Sequence, residues 1–505
     1  MITVIYAFIV GLIGVIIYWD IVTYGRNNKY GKEKAIWSPR GIPPFGLALE
    51  FAVASQEETF KKIIWYAQTW NYRLRAYAAW HRFVLVALPE DIEVIMTDQR
   101  FLEKSHDYNV LHKWLQDGLL TVSKKPKWQT RRKILTPAFH FSILEDFVQV
   151  MNQQATILTK ILQKHVNDDG FDIVPYISLY TMDVICETSM GTKVNAQTDV
   201  NSSYVKAVVE VSSILFWRMH HFLARDDWYW RWTPQKKRHD QLVQLIHDHT
   251  EKIIETRREE KLKMRKKSIE SEDIGIKKRT ALLDILLDST VNGQKLSNMD
   301  ILEETDNFMF AGHDTTTSAI NFLLYNLAKH QDVQQKLYEE IVDVLGTDKD
   351  ASYTVNDLSN FKYFEMVLKE SLRLYTPVPI IGRYLREDVE INGVVYPKDH
   401  NILLGLYMMH RNPNVFPEPE KFIPERFSEQ RSHEKKNAFS YVPFSGGYRN
   451  CIGQRFAQLE IKLVTARILQ NFHLELADPN FEPILTAELI LKPVNGIVVK
   501  LKPRN

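Results

Sequence analysis

Cys451 stands in the stretch FSGGYRNCIG, from Phe444 to Gly453, with Arg449 two positions upstream and a helical pattern, IGQRFAQLEIKLVTARIL, opening at Ile452. Gly446 and Gly447 permit a tight turn just before it. A sulfur ahead of a helix N-terminus meets unsatisfied amide donors and the positive end of the helix dipole, which favours the thiolate. A thiolate serves as a nucleophile or as a metal ligand. The first role needs a histidine base nearby in space, and with sixteen histidines in the chain both roles stay open. The other cysteine, Cys186 in MDVICETSMG, reads as a small buried hydrophobe.

Three further stretches hold residues whose spacing could matter. In NFMFAGHDTTTSAINFLLYNL, 307–327, Phe308, Gly312, Thr315 and Ala319 fall on one face of a helix, where two threonines and a glycine would otherwise only weaken a core helix. In KESLRLYTPVPIIGR, 369–383, Glu370 and Arg373 are three apart and can meet, though such a pair taken alone is commonplace and contributes little. In PKWQTRRKILTPAFH, 126–140, Trp128 and Arg132 are four apart.

Taken with KFIPERF at 421–427, these stretches and their order resemble the cytochrome P-450 monooxygenases, from the N-terminal apolar segment to the helix after Cys451. FSGGYRNCIGQRFA is similar to that family's haem-binding loop, in which the phenylalanine, the glycines and the arginine-cysteine pair recur at this spacing. The resemblance implies haem b with Cys451 as its axial thiolate, Phe444 among the cofactor-binding residues, and Trp128, Arg132, Arg383 and Arg449 as partners of the two haem propionates. On the central helix it implies that Asp314 and Thr315 relay protons and that Gly312 leaves room for oxygen. Arg426 would complete a structural triad with Glu370 and Arg373. In several members of the branch that includes fatty-acid omega-hydroxylases and many insect relatives, a glutamate precedes the central glycine and esterifies the haem. Ala311 stands there, so no ester link is expected.

The implied activity is insertion of one atom of molecular oxygen into a lipophilic substrate: a fatty acid, hydrocarbon, isoprenoid or xenobiotic. GGYRNCIG lacks the glycine spacing and leading strand of a dinucleotide fingerprint, so the resemblance implies a separate NADPH-cytochrome P-450 reductase, with cytochrome b5 as an additional donor. Lys124, Lys125, Lys127, Arg131 and Lys133 suit docking of an acidic partner or form a solvated basic face. Two rival readings are a haem-thiolate isomerase or dehydratase of oxidised lipids and a non-catalytic membrane-anchored haem or ligand binder. The Asp314 and Thr315 pair speaks against both, since neither activates oxygen.

The elements that must position these residues are legible in outline. The chain has 505 residues, 45% of them hydrophobic, which is ample for a large core. A net charge of +2 gives no support for a nucleic-acid partner, and two distant cysteines argue against a disulfide framework. Helical spacing predominates, with a strand and short helix over 83–96 and a hairpin about Asn392-Gly393. The expected fold class is mainly α with a small β-sheet region, the cytochrome P-450 fold preceded by an N-terminal transmembrane helix.

Residues 1–25 are expected to form a membrane signal anchor, since the uncharged run Ile2 to Trp19 would span about 27 Å as a helix. Residues 26–50 form a basic and proline-rich linker, and 51–505 a single haem-thiolate catalytic domain, because the implied haem contacts run from Trp128 to Cys451. Positive flanks place the catalytic domain on the cytosolic side of the endoplasmic reticulum membrane. The charged stretch 255–279 reads as a solvated helix and mobile linker, the resemblance implies that 105–120 forms the family's variable lid over the haem, and the four tryptophans of 216–232 suit a lipid interface or core packing.

Overall fold

The structure is a computed structural model that describes residues 2–23, 34–199, 202–221, 223–270, 281–291, 293–430, 437–487 and 489–504. Helix α1, Ile2–Thr23, is uncharged until Asp20, is exposed along its length, and is long and apolar enough to cross a membrane. The described part of the linker is docked on the globule. Lys34 pairs with Glu390 at 2.9 Å, Arg75 N–H donates to the Trp37 carbonyl at 2.8 Å, and Ala79 N–H to that of Phe45 at 2.8 Å.

Helix α2, Gln56–Thr69, begins at Ser55, whose hydroxyl and the Glu58 carboxylate form a reciprocal capping box. Strands β1, Arg73–Ala78, and β2, His81–Val86, form an antiparallel hairpin, and α3, Pro89–Thr97, follows with proline at its first turn. The helical body then comprises α4, Lys125–Leu135; α5, Phe141–Leu162; α6, Val174–Ile185; α7, Ser203–His220; and α8, Pro234–Glu270. Residues 271–280, which include the last nine of the charged stretch 255–279, lie outside the described residues.

Helix α9, Asn298–Lys329, is the axis of the molecule. It starts at a Ser297–Asp300 capping box, runs about 48 Å, and packs against α6 and the long C-terminal helix. Helix α10, Tyr363–Leu374, leads into β3, Ile380–Leu385. A hairpin follows, β4, Val389–Ile391, and β5, Val394–Tyr396, turned by Asn392 at φ 48° and Gly393 at φ 78°. Strand β6, His400–Gly405, joins β1, β2 and β3 in the order β1-β2-β6-β3, parallel to β2 and antiparallel to β3. Short helix α11, Leu406–His410, and α12, Gln454–Asn471, bracket the cysteine loop. The chain ends in β7, Phe472–Leu476, a hairpin of β8, Leu485–Ala487, with β9, Leu491–Pro493, and β10, Val498–Pro503. The molecule is thus mainly helical with small sheets.

Candidate active site

The cysteine loop is shaped by its second glycine. Gly447 has φ +62°, and a Cβ there would lie 2.0 Å from the Met96 carbonyl oxygen, so the loop presses backbone to backbone on the end of α3. Cys451 N–H donates to the Phe444 carbonyl at 2.9 Å, closing the loop, and α12 starts three residues later. The loop, the start of α12 and one face of α9 enclose a cavity of about 310 Å³, and the Cys451 side chain is accessible from it. Cys186 is instead buried, its thiol 3.6 Å from Met309 Sδ.

The helix terminus does not by itself hold Cys451 as a thiolate. Burial pushes the thiol up, and the Gly453 N–H and the Arg132 guanidinium only partly oppose this. A directly bound cation is what deprotonates a thiol in such a place. Among the described residues no three or more His, Cys, Asp or Glu are grouped to hold a metal ion, so one sulfur suits a metal whose other ligands arrive with it.

Cations collect at the same cavity. Lys104, Arg132, Arg383 and Arg449 all line it, and no carboxylate does among the described residues. Arg132 donates to the carbonyl and the side-chain oxygen of Asn450, at 2.8 and 2.7 Å, tying α4 to the residue before the cysteine. Arg449 stacks over the Trp128 ring at 4.6 Å and donates from Nη2 to the Val122 carbonyl at 2.8 Å, while its Nε and Nη1 are buried with no partner. Burial and the Arg383 charge push Arg449 down to about 9, and burial with Arg383 and Arg449 pushes Lys104 well below the ordinary lysine range. Such a cluster is unstable without an anion. A flat apolar body with two carboxylates at one edge and a metal at its centre meets each of these features, and haem is such a group.

On α9, Phe308, Gly312, Thr315 and Ala319 all face the cavity, as their spacing predicts, and Ala311 lines it with them. The Thr315 hydroxyl donates to the Ala311 carbonyl at 2.7 Å. Gly312 lines the cavity, and its missing side chain also makes room for a neighbouring helix. A Cβ there would lie 2.5 Å from Ile185 Cδ1, so the glycine lets α6 close on α9. Asp314 is not among the cavity residues. Its carboxylate lies 3.4 Å from His313 Nδ1 and 3.6 Å from Lys492 Nζ, because successive helical residues point about 100° apart.

Glu370 and Arg373 come together with Arg426 and are fully buried, not exposed. The five-residue basic face of α4 and its lead-in is broken up. Arg131 is buried against Asp300 and Glu304, and Lys127 pairs with Glu303 at 2.7 Å, which leaves Lys124, Lys125 and Lys133 exposed. In the lid, Tyr108, Leu111, Leu119 and Leu120 line the cavity, and Leu120 N–H donates to the Asn307 side chain at 3.1 Å. The tryptophans of 216–232 divide. Trp230 is buried under Arg218 at 4.6 Å and Trp217 packs near it, whereas Trp228 is exposed and Trp232 is 82% exposed. Sequence reasoning missed Lys104, which stands in the polar run DQRFLEKSHDY, 98–108, with no periodicity to place it inside.

The chain matches the family model "Cytochrome P450" over residues 37–501. It is 38% identical to cytochrome P-450 4c3 of Drosophila melanogaster, covering 98% of this chain and 94% of that protein. It is 41% identical to cytochrome P-450 4d2 of Drosophila melanogaster, covering 96% of each. Human cytochrome P-450 4V2 is 41% identical over 92% of this chain and 89% of its own length. The crystal structure of the cytochrome P-450DA heme domain superposes with a TM-score of 0.80 at 22% identity, covering 93% of this chain and 98% of that one, a likeness of fold.

Proposed function

The chain belongs to the cytochrome P-450 family, and from that premise we propose a role for each residue of its cavity. Membership makes it a monooxygenase that carries haem b on a cysteine thiolate, and its relatives place it in the branch of the omega-hydroxylases and their insect members. When bound, the haem supplies the activation of molecular oxygen, one atom going to substrate and the other to water.

Cys451 is the proposed ligand. The observation that carries this is its sulfur, open to a cavity that holds four cations and no carboxylate among the described residues. Arg132, Arg383, Arg449 and Lys104 bind the propionates, and Trp128 keeps the Arg449 guanidinium flat against α4. Phe444 lines the pocket beside the sulfur, and Ala311 offers no carboxylate for an ester link.

Thr315 holds a proton at Oγ1 on the cavity wall, shared with the Ala311 carbonyl. Asp314 resupplies it from the far side of the helix, where its carboxylate lies 3.6 Å from Lys492 Nζ and 3.4 Å from His313 Nδ1, by taking a proton from solvent and turning toward the hydroxyl. The remaining wall is apolar, supplied by Phe308, Phe310, Leu119 and Leu489 among others, which suits a lipophilic substrate and keeps water away. Electrons come from a separate NADPH-cytochrome P-450 reductase, with cytochrome b5 as an additional donor, attracted by Lys124, Lys125 and Lys133. Helix α1 anchors the enzyme in the endoplasmic reticulum membrane with its catalytic domain in the cytosol. Exposed Trp228 and Trp232 then meet the lipid surface, as do the exposed Ile42 and Phe45 of the linker.

The test is the carbon-monoxide difference spectrum of the dithionite-reduced protein. A Soret band at the long wavelength of thiolate-bound ferrous haem is expected in the wild type and absent in Cys451→Ser. Bound haem without that band in freshly prepared wild type would overturn the assignment.

A further inference from the structure

One buried imidazole links α10 to the cysteine loop. His410, the last residue of α11, is fully buried. Its Nδ1 lies 2.8 Å from Thr376 Oγ1, its Nε2 lies 3.1 Å from the Val442 amide nitrogen, and its carbonyl accepts from Arg373 Nη1 at 2.8 Å. The Thr376 hydroxyl donates its single proton to the Leu372 carbonyl at 2.9 Å. The Val442 N–H can only donate, so Nε2 must accept, the proton of the neutral ring sits on Nδ1, and the Thr376 oxygen accepts it. Burial, reinforced by Arg373 and Arg411, pushes His410 down to about 3, so the ring is neutral at physiological pH.

The line of hydrogen bonds continues past the ring. The Val442 carbonyl accepts from Ser445 N–H at 2.9 Å, and the Phe444 carbonyl accepts from Cys451 N–H at 2.9 Å. These backbone bonds carry position, not protonation: the ring seats Val442, and the two bonds that follow tie Val442 to the residue that bears the sulfur.

We infer that His410, held by Thr376 as the Nδ1–H tautomer, is a positioning residue that fixes the Cys451 loop so that its sulfur stays seated as a thiolate ligand. The inference rests on the reading of Cys451 as the haem ligand. Mere space-filling by the ring against Tyr441, 5.5 Å away, would make no demand on Thr376. The tautomer does, because an Nε2–H ring would set two donors against each other at Val442 and leave both unpaired in the core.

The decisive variant is Thr376→Val, which keeps the shape of the side chain and the histidine but removes the lone pair, with Thr376→Ser as the conservative control. Haem content and melting temperature are measured beside the rate at which the long-wavelength carbon-monoxide band decays to the short-wavelength form. Thr376→Val is expected to bind haem yet lose the band about tenfold faster than wild type, the effect of one misdirected buried hydrogen bond, while Thr376→Ser stays within about twofold. His410→Leu, where it folds, should decay at least as fast as Thr376→Val. If Thr376→Val decays at the wild-type rate, His410 does not position the loop through its tautomer and the inference fails. A wild type that binds haem with no long-wavelength band overturns the underlying assignment of Cys451 instead.

Discussion

Arg373 and Arg449 are both arginines held inside the protein near the cysteine loop, and they are satisfied in opposite ways. All five N–H groups of Arg373 have acceptors: two on Glu370 at 2.8 and 2.9 Å, and the carbonyls of His410, Pro419 and Lys421. Glu370 is completed in turn by Arg426 and the Ile423 amide. Arg449 has one hydrogen bond, a stacked indole and two orphaned nitrogens, with Arg383 and Lys104 as its charged neighbours. A guanidinium that the fold completes by itself is part of the frame, and one that the fold leaves incomplete is waiting for a ligand.

That contrast is broken most severely on the side of the frame. Glu370→Gln leaves two buried arginines without their counter-charge and should lower stability by about 3–5 kcal/mol, read as the midpoint of urea unfolding with or without haem. On the ligand side the sign should reverse with occupancy. Arg383→Met should leave the haem-free protein unchanged or steadier by about 1–4 kcal/mol, because it removes a buried unpaired charge, while weakening haem retention about tenfold or more. Unfolding of the two forms, together with haem transfer to apomyoglobin, measures both arms.

The smallest effect belongs to Lys104. Its folded value is depressed, so between that value and about 10.4 the unfolded chain binds a proton that the native haem-free protein does not, and stability rises with pH. The slope should approach about 1.4 kcal/mol per pH unit at most, vanish in Lys104→Met, and shrink when haem restores an anion beside the amine.

What the sequence made legible follows from distance along the chain. The face of α9 and the hairpin at Asn392 could be read because their signals repeat within a few residues. Glu370 with Arg373 reads as an ordinary surface pair, since the carbonyls that surround it lie 37 to 48 residues downstream. Arg131 and Lys127 look like part of a basic surface for the same reason. Their acids stand 169 and 176 residues away on α9, and no local pattern announces them. The direction of Asp314 is a matter of helix rotation, which could be foreseen, whereas its partner Lys492 comes from a hairpin near the chain end.

The contact between Gly312 and Ile185 has a consequence for how such a molecule can change over generations. The two residues occupy a single shared volume, with Ile185 Cδ1 sitting 2.5 Å from where a methyl on Gly312 would go. A methyl at 312 therefore requires the end of the Ile185 side chain to move, and valine or alanine at 185 makes room for it without that shift. The two positions are coupled, so a change at one alters what the other tolerates.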